Sequence, residues 1–175
     1  DAGLTIHGSP ASEALLGLNF DADRIFADDG DDTLLGLGGD DQLRGEAGND
    51  VLEGGDANDA LYGNAGFDVL WGHAGDDWLS GGQDADTLHG NTGADTINGN
   101  NGDDVIRGGA EDDQLQGNAG ADTLLGGNGS DQLRGGRDND AINDNAGDDS
   151  LIGGFGDDDI RVGSGVVYRD NRCDA

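Results

Sequence analysis

The chain has 175 residues, of which 36 are glycine, and a formal net charge of −30 from 38 acidic residues against eight arginines and no lysine. That balance excludes a nucleic-acid partner, which needs a basic footprint, and no stretch approaches the ~18 apolar residues of a transmembrane segment. With 33% hydrophobic and 5% aromatic residues, the composition alone would read as disordered, but a strict internal period argues against disorder.

Residues 1–22 read as degenerate capping repeats. Residues 8–17 keep the spacing of the units that follow, with Glu13 at the acidic position and Leu15 at the core position. One extra residue between Gly17 and Asp23 then shifts the register. No charged region followed by an apolar run marks a signal peptide here, as expected of a mature chain or of export without an N-terminal signal.

From residue 23 to 161 one nonapeptide recurs. Its aspartate stands at Asp23, Asp32, Asp41, Asp50, Asp59, Asp68, Asp77, Asp86, Asp95, Asp104, Asp113, Asp122, Asp131, Asp140, Asp149 and Asp158. Two residues after each comes a leucine or isoleucine, from Ile25 and Leu34 to Leu151 and Ile160. A fixed short period of this kind specifies an all-β solenoid whose units bury their apolar residue only by stacking. The glycine-rich six residues, as in 99–104, read as a turn, and the next three, as in Val105-Ile106-Arg107, as a short strand with its centre inward. A second period of 27 residues relates Arg107, Arg134 and Arg161, and likewise Ala57, Asp84, Glu111 and Asp138, which replace the glycine two before the aspartate. It reflects either a duplicated segment or a three-sided coil of 27 residues. Residues 162–175 read as a degenerate C-terminal cap, with Val167 at the aspartate position, followed by a polar tail from Arg169.

Glycine turns expose carbonyl oxygens, and an aspartate closing each turn adds charge. Such sets suit calcium, which takes six to eight oxygen ligands at about 2.3–2.6 Å. At Gly126-Gly127-Asn128-Gly129-Ser130-Asp131-Gln132-Leu133-Arg134, and again at residues 153–161, the chain resembles the RTX family of calcium-binding nonapeptide repeats. The resemblance covers residues 23–161 and implies a parallel β-roll with 18-residue, two-sheet coils. It pairs Asp41 with Asp59 and Asp50 with Asp68, and implies Ca2+ as cofactor at the sixteen aspartates, with roughly 14 ions if every stacked pair is filled. A three-sided coil would pair Asp41 with Asp68 instead. The resemblance also implies a secreted, extracellular or cell-surface protein, exported on a C-terminal signal that Arg169 to Ala175 do not obviously provide. Asp84, Glu111 and Asp138 read as tolerated turn residues rather than added ligands. Ala27 and Asp144, which replace the first glycine of their turns, weaken the prediction at those two sites.

His7, His73 and His89 lack zinc spacing, and no catalytic motif is present, so the chain is expected not to be an enzyme. Cys173, alone, excludes an internal disulfide. Tyr62, Phe67, Trp71 and Trp78 sit at outward or turn positions and read either as a contact surface or as packing flat on the solenoid. Thr33, Thr87, Thr96 and Thr123 only hint at an ice-binding type of array, since other residues interrupt the column. The expected function is a structural one: a secreted calcium-binding solenoid, folding on Ca2+, that self-associates or presents a surface to an extracellular partner in a layer, filament or adhesin. The alternatives are a C-terminal export and folding module of a larger secreted enzyme or toxin, and a plain calcium buffer.

Overall fold

The computed structural model describes residues 3–164 and 168–172, with side chains through Gly163. Nineteen strands among the described residues alternate between two parallel sheets, ten in the first and nine in the second, and each strand pairs with the one two along the chain. Leu34 lies opposite Leu52 and Leu52 opposite Leu70 in one sheet, and Leu43 lies opposite Leu61 in the other. A coil is therefore 18 residues with two sides, and the alternative coil of 27 residues is overturned. The physical reason is that one nonapeptide already reverses the chain, so two complete a turn. Residues 27 apart, such as Arg107 on Val105–Ala110 and Arg134 on Gln132–Arg137, fall in opposite sheets.

The regular strands are six residues long rather than three, as in Val105–Ala110 and Thr123–Asn128. They take in the first glycine of the next repeat and the two residues after it, so only three residues remain for the corner. Between the sheets runs a file of Leu and Ile, from Ile25 to Leu151, each at most 2% exposed. Alternate members come from opposite sheets, and Ile6, Leu15 and Ile160 pack partly buried at its ends. Burying a Leu contributes about 1.5–3 kcal/mol, but only one is available for every nine residues ordered.

In the nonapeptides from residue 27 to 161 the second residue and the fourth hold positive φ, except at Asn145. Where glycine occupies them φ lies far out, as at Gly75 (136°) and Gly82 (132°), whereas Asn64 (78°), Ala57 (84°), Asp84 (69°), Glu111 (76°) and Asp138 (70°) sit in the ordinary left-handed well. A side chain thus forces a rotation of about 50°, because a Cβ on the glycine geometry would run into a carbonyl of the preceding coil. The four substitutions at the fourth position all keep Gly at the second, at 55, 82, 109 and 136, so every such turn retains one glycine. Leu37, at φ 80° and 38% exposed, is the least suited occupant, since a left-handed non-glycine residue costs roughly 1–2 kcal/mol and Asn tolerates it best. Leu37→Asn is expected to raise stability by about 1 kcal/mol, read as a higher denaturant midpoint in saturating calcium. A lower midpoint would mean that the leucine makes a needed contact.

The terminal copies stay within the sheets. Thr5–His7 and Ala14–Leu16 pair at an offset of 19, Ile6 opposite Ile25 and Leu15 opposite Leu34, which places the extra residue between Gly17 and Asp23 in the first coil. At the other end Tyr168–Arg172 form a strand paired with Ser150–Phe155, where a tail from Arg169 was expected. Its register sets Arg169 opposite Leu151. Val167 and Cys173 lie outside the described residues.

Candidate metal centre

The corner of each nonapeptide closes on its aspartate, and fifteen of the sixteen are at most 3% exposed, Asp158 being half-buried. Each carboxylate is fixed by the coil below it. The Asp68 N–H donates to Asp86 Oδ1 at 2.8 Å, the Asp86 N–H to Asp104 Oδ1 at 2.8 Å, and the Asp104 N–H to Asp122 Oδ1 at 2.9 Å. Steps of 18 make two such ladders, one from Asp23 on Asp41 to Asp131 on Asp149 and the other from Asp32 on Asp50 to Asp140 on Asp158. The 18-residue pairing of aspartates therefore holds, and pairing of Asp41 with Asp68 does not. Leu4 and Glu13 donate in the same way to Asp23 and Asp32.

The second oxygen is left over. From Asp32 to Asp140 every one of these Oδ2 atoms is buried with no hydrogen-bond donor in reach. From Asp41 to Asp140 each lies over the first glycine of its own turn. At Gly36, Gly63, Gly72, Gly81, Gly90, Gly108, Gly117 and Gly135 the carbonyl of the glycine one coil further on stands beside it. A Cβ at Gly63 would meet Asp68 Oδ2 and, at 2.7 Å, the Gly81 carbonyl oxygen, and one at Gly117 would meet Asp122 Oδ2 and, at 2.8 Å, the Gly135 carbonyl. These first glycines do not hold positive φ. What they supply is space, and the space is lined by a carboxylate oxygen and a carbonyl oxygen. That donor set suits a hard divalent cation, while a buried anionic oxygen with no partner at all would be costly.

The electrostatics agree. Burial pushes the carboxyls of Asp59, Asp86 and Asp113 up to about 8, and those of Asp68, Asp95 and Asp122 up to about 7. The backbone N–H bond opposes the rise, and neighbouring carboxylates along the stack add to it. Without a cation the stack is a column of acids that resist ionising together.

The stack lies in an RTX pattern along its whole length. The profile of the RTX calcium-binding nonapeptide repeat (4 copies) matches residues 19–52, 53–88, 80–115, 107–142 and 134–166. The chain belongs to this RTX repeat family. Its calcium-binding β-roll is thus the fold described above, including the 18-residue coil that the resemblance implied. A comparison with curated proteins finds no match. Among the described residues, no helix is long and apolar enough to cross a membrane.

Sequence reasoning missed a second ladder in this RTX chain. From Asp31 to Asn139 the residue before the repeat aspartate, where it is Asp or Asn, accepts an N–H from the coil above. Phe67 donates to Asn49 Oδ1 at 2.9 Å, Ala94 to Asp76 Oδ1 at 2.9 Å, and Ser130 to Asp112 Oδ1 at 2.7 Å. It runs opposite in sense to the buried ladder and is exposed. The enrichment of Asp and Asn at that position was its only signal. Glu111, in the glycine slot, accepts from the Gly93 N–H of the coil below at 2.9 Å, in the sense of the buried ladder.

The histidines are held elsewhere. His89 stacks on Trp71 with ring centroids 3.9 Å apart, His73 reaches Glu53 at 3.5 Å, and His7 stacks on Phe26. The aromatic residues do not form one patch. Tyr62 and Trp78 lie on the first sheet, Trp71 on the second and Phe67 in a corner, and the Arg44 guanidinium sits 5.2 Å from the Tyr62 ring and 5.6 Å from that of Phe26.

Proposed function

We propose that the sixteen repeat aspartates hold calcium between successive corners, and that the chain is a secreted structural solenoid which folds on calcium and presents a surface outside the cell. The observation that carries the calcium sites is the row of partnerless Oδ2 atoms facing glycine carbonyls. In this reading the ion replaces the missing donor and offsets the charge of −30. Each Oδ1 orients its carboxylate through the N–H it accepts, which from Asp32 to Asp140 leaves Oδ2 for the cation, whereas Asp23 Oδ2 also accepts the Leu18 N–H at 2.5 Å.

Asp86→Asn separates the two roles. An amide keeps an oxygen to accept from Asp68 but sets an NH2 group where Oδ2 was. The variant is expected to stay folded in saturating calcium, to bind at least one ion fewer by native mass spectrometry, and to need more calcium to fold. An unchanged ion count would remove Asp86 from the ligand set.

A surface role draws support from the N-terminal coil. Leu4, Leu16, Leu18 and Phe20 are 41–93% exposed, four of the seven large hydrophobic residues in that range among the described residues. Capping repeats ordinarily turn a polar face outward, whereas exposed apolar groups mark contacts. Sedimentation velocity is expected to show calcium-dependent association that Phe20→Ser weakens. A monomer at every calcium concentration would oppose self-assembly.

A further inference from the structure

We propose that Asp144 turns one turn of the stack into a three-carboxylate cation site, formed with Asp131 and Asp149, which takes up the first ion and favours a trivalent cation over calcium. Asp144 occupies the place of the first glycine of its nonapeptide, on the strand Ala141–Ala146. The repeat itself puts no acid there. Asp144 is nevertheless 2% exposed, and its side chain points back into the coil below, where Oδ1 accepts the Gly127 N–H at 3.1 Å.

Carboxylate oxygens of Asp131, Asp144 and Asp149 all lie within 4.8 Å of one another, the only such group of three His, Cys, Asp or Glu among the described residues. Two oxygens that share one ion at about 2.4 Å are at most about 4.8 Å apart, so the spacing fits a single shared cation. Two further observations point to a ligand. Asp144 Oδ2 and Asp131 Oδ2 are both buried with no donor in reach. Asp144 Oδ1 and Asp131 Oδ2 also converge on the space beside Gly126 that a Cβ would fill. No arginine pairs with any of the three in the described ion pairs, which join His73 to Glu53 and Arg161 to Asp159.

Elsewhere in the stack the corresponding cradle offers one carboxylate oxygen and a glycine carbonyl. Here a third carboxylate is added, and affinity for hard cations rises with ligand charge count. A trivalent lanthanide gains most from the third negative charge, because the attraction scales with the product of charges.

The inference rests on the calcium reading of the stack, and the test keeps the two apart. The full chain, folded in calcium, is titrated with terbium(III) followed by its luminescence, alongside Asp144→Asn and Asp144→Gly. In the unaltered chain the first equivalent of terbium is expected to bind as a distinct tight class. Each variant should weaken that class about tenfold or more, with the later equivalents unchanged. The glycine variant restores the repeat, so it carries the comparison if the asparagine variant fails to show β circular dichroism in calcium. An unchanged first equivalent in a folded variant overturns the proposal and leaves the other calcium sites standing. If the unaltered chain takes up neither calcium nor terbium, both readings fall.

Discussion

Moving the calcium-loaded chain into excess chelator at about pH 7.5 is expected to abolish most of its β circular dichroism, and acidifying the same sample to about pH 5 to restore a substantial part. The sign follows from the buried carboxyls. Burial raises Asp41, Asp50, Asp77, Asp104 and Asp140 to about 6, Asp68, Asp95 and Asp122 to about 7, and Asp59, Asp86 and Asp113 to about 8, all from an ordinary 3.8. The cation-free fold therefore binds more protons than the unfolded chain between about pH 4 and 8, and its stability falls as pH rises through that window. Protons neutralise the column when calcium is absent. With calcium present each ion must displace protons, so the affinity of the folded chain for calcium should fall below about pH 6, even as its need for calcium to stay folded lessens. Full β signal in chelator at neutral pH would show that no cation is required. A signal that falls further on acidification would show that the carboxyls are not the groups that oppose folding.

Gly117→Ala is expected to cost more than Gly156→Asn, although the second replaces the residue with the stranger backbone. Gly156 holds φ 133°, yet Asp84 and Asp138 show that a side chain at that position rotates into the left-handed well, at a cost of about 1 kcal/mol. Gly82 and Gly136 keep the second position in those turns, as Gly154 does here. Gly117 needs no unusual φ. Its Cβ would fill the space between Asp122 Oδ2 and the Gly135 carbonyl, and overpacking a closed site costs typically 1–3 kcal/mol. The proposed ion would be lost in addition. Thermal midpoints in saturating calcium should fall clearly for Gly117→Ala and little for Gly156→Asn, with ion loss only in the former. Equal, small shifts would mean that the cradle yields freely and holds nothing.

Much of this arrangement could be read in the chain. The phase of Leu34 and Leu52 named the core, and that of Asp32 and Asp50 named the corner carboxylates, because each repeat must do the same work as its neighbours. Coil length could not be read from periodicity alone. Periods of nine and 27 are both present, and only strand pairing distinguishes two sides from three. Strand length was underread because first glycines such as Gly108 look like turn residues and in fact lie extended within Val105–Ala110. The exposed ladder at Asp76 and Asn49 was hidden by Phe67, Ala85 and Ala94 at the same position. Asp144 read as a defect in the repeat, since nothing in a one-dimensional pattern tells that a replaced glycine will aim its carboxylate into the coil below.

The mismatch between an 18-residue coil and a 27-residue sequence period has a geometric outcome. Three nonapeptides make one and a half coils, an advance of about 7 Å along the axis together with a half turn about it. Arg107 and Arg161 thus face one side and Arg134 the other, and Asn91-Thr92-Gly93 and Asn118-Ala119-Gly120 alternate in the same way. The residues that keep the longer period therefore recur on alternate broad sides of a flat slab, displaced by that advance, while outward residues that do not keep it, such as Trp71 against Asn98 and Trp78 against Val105, make the two sides differ elsewhere.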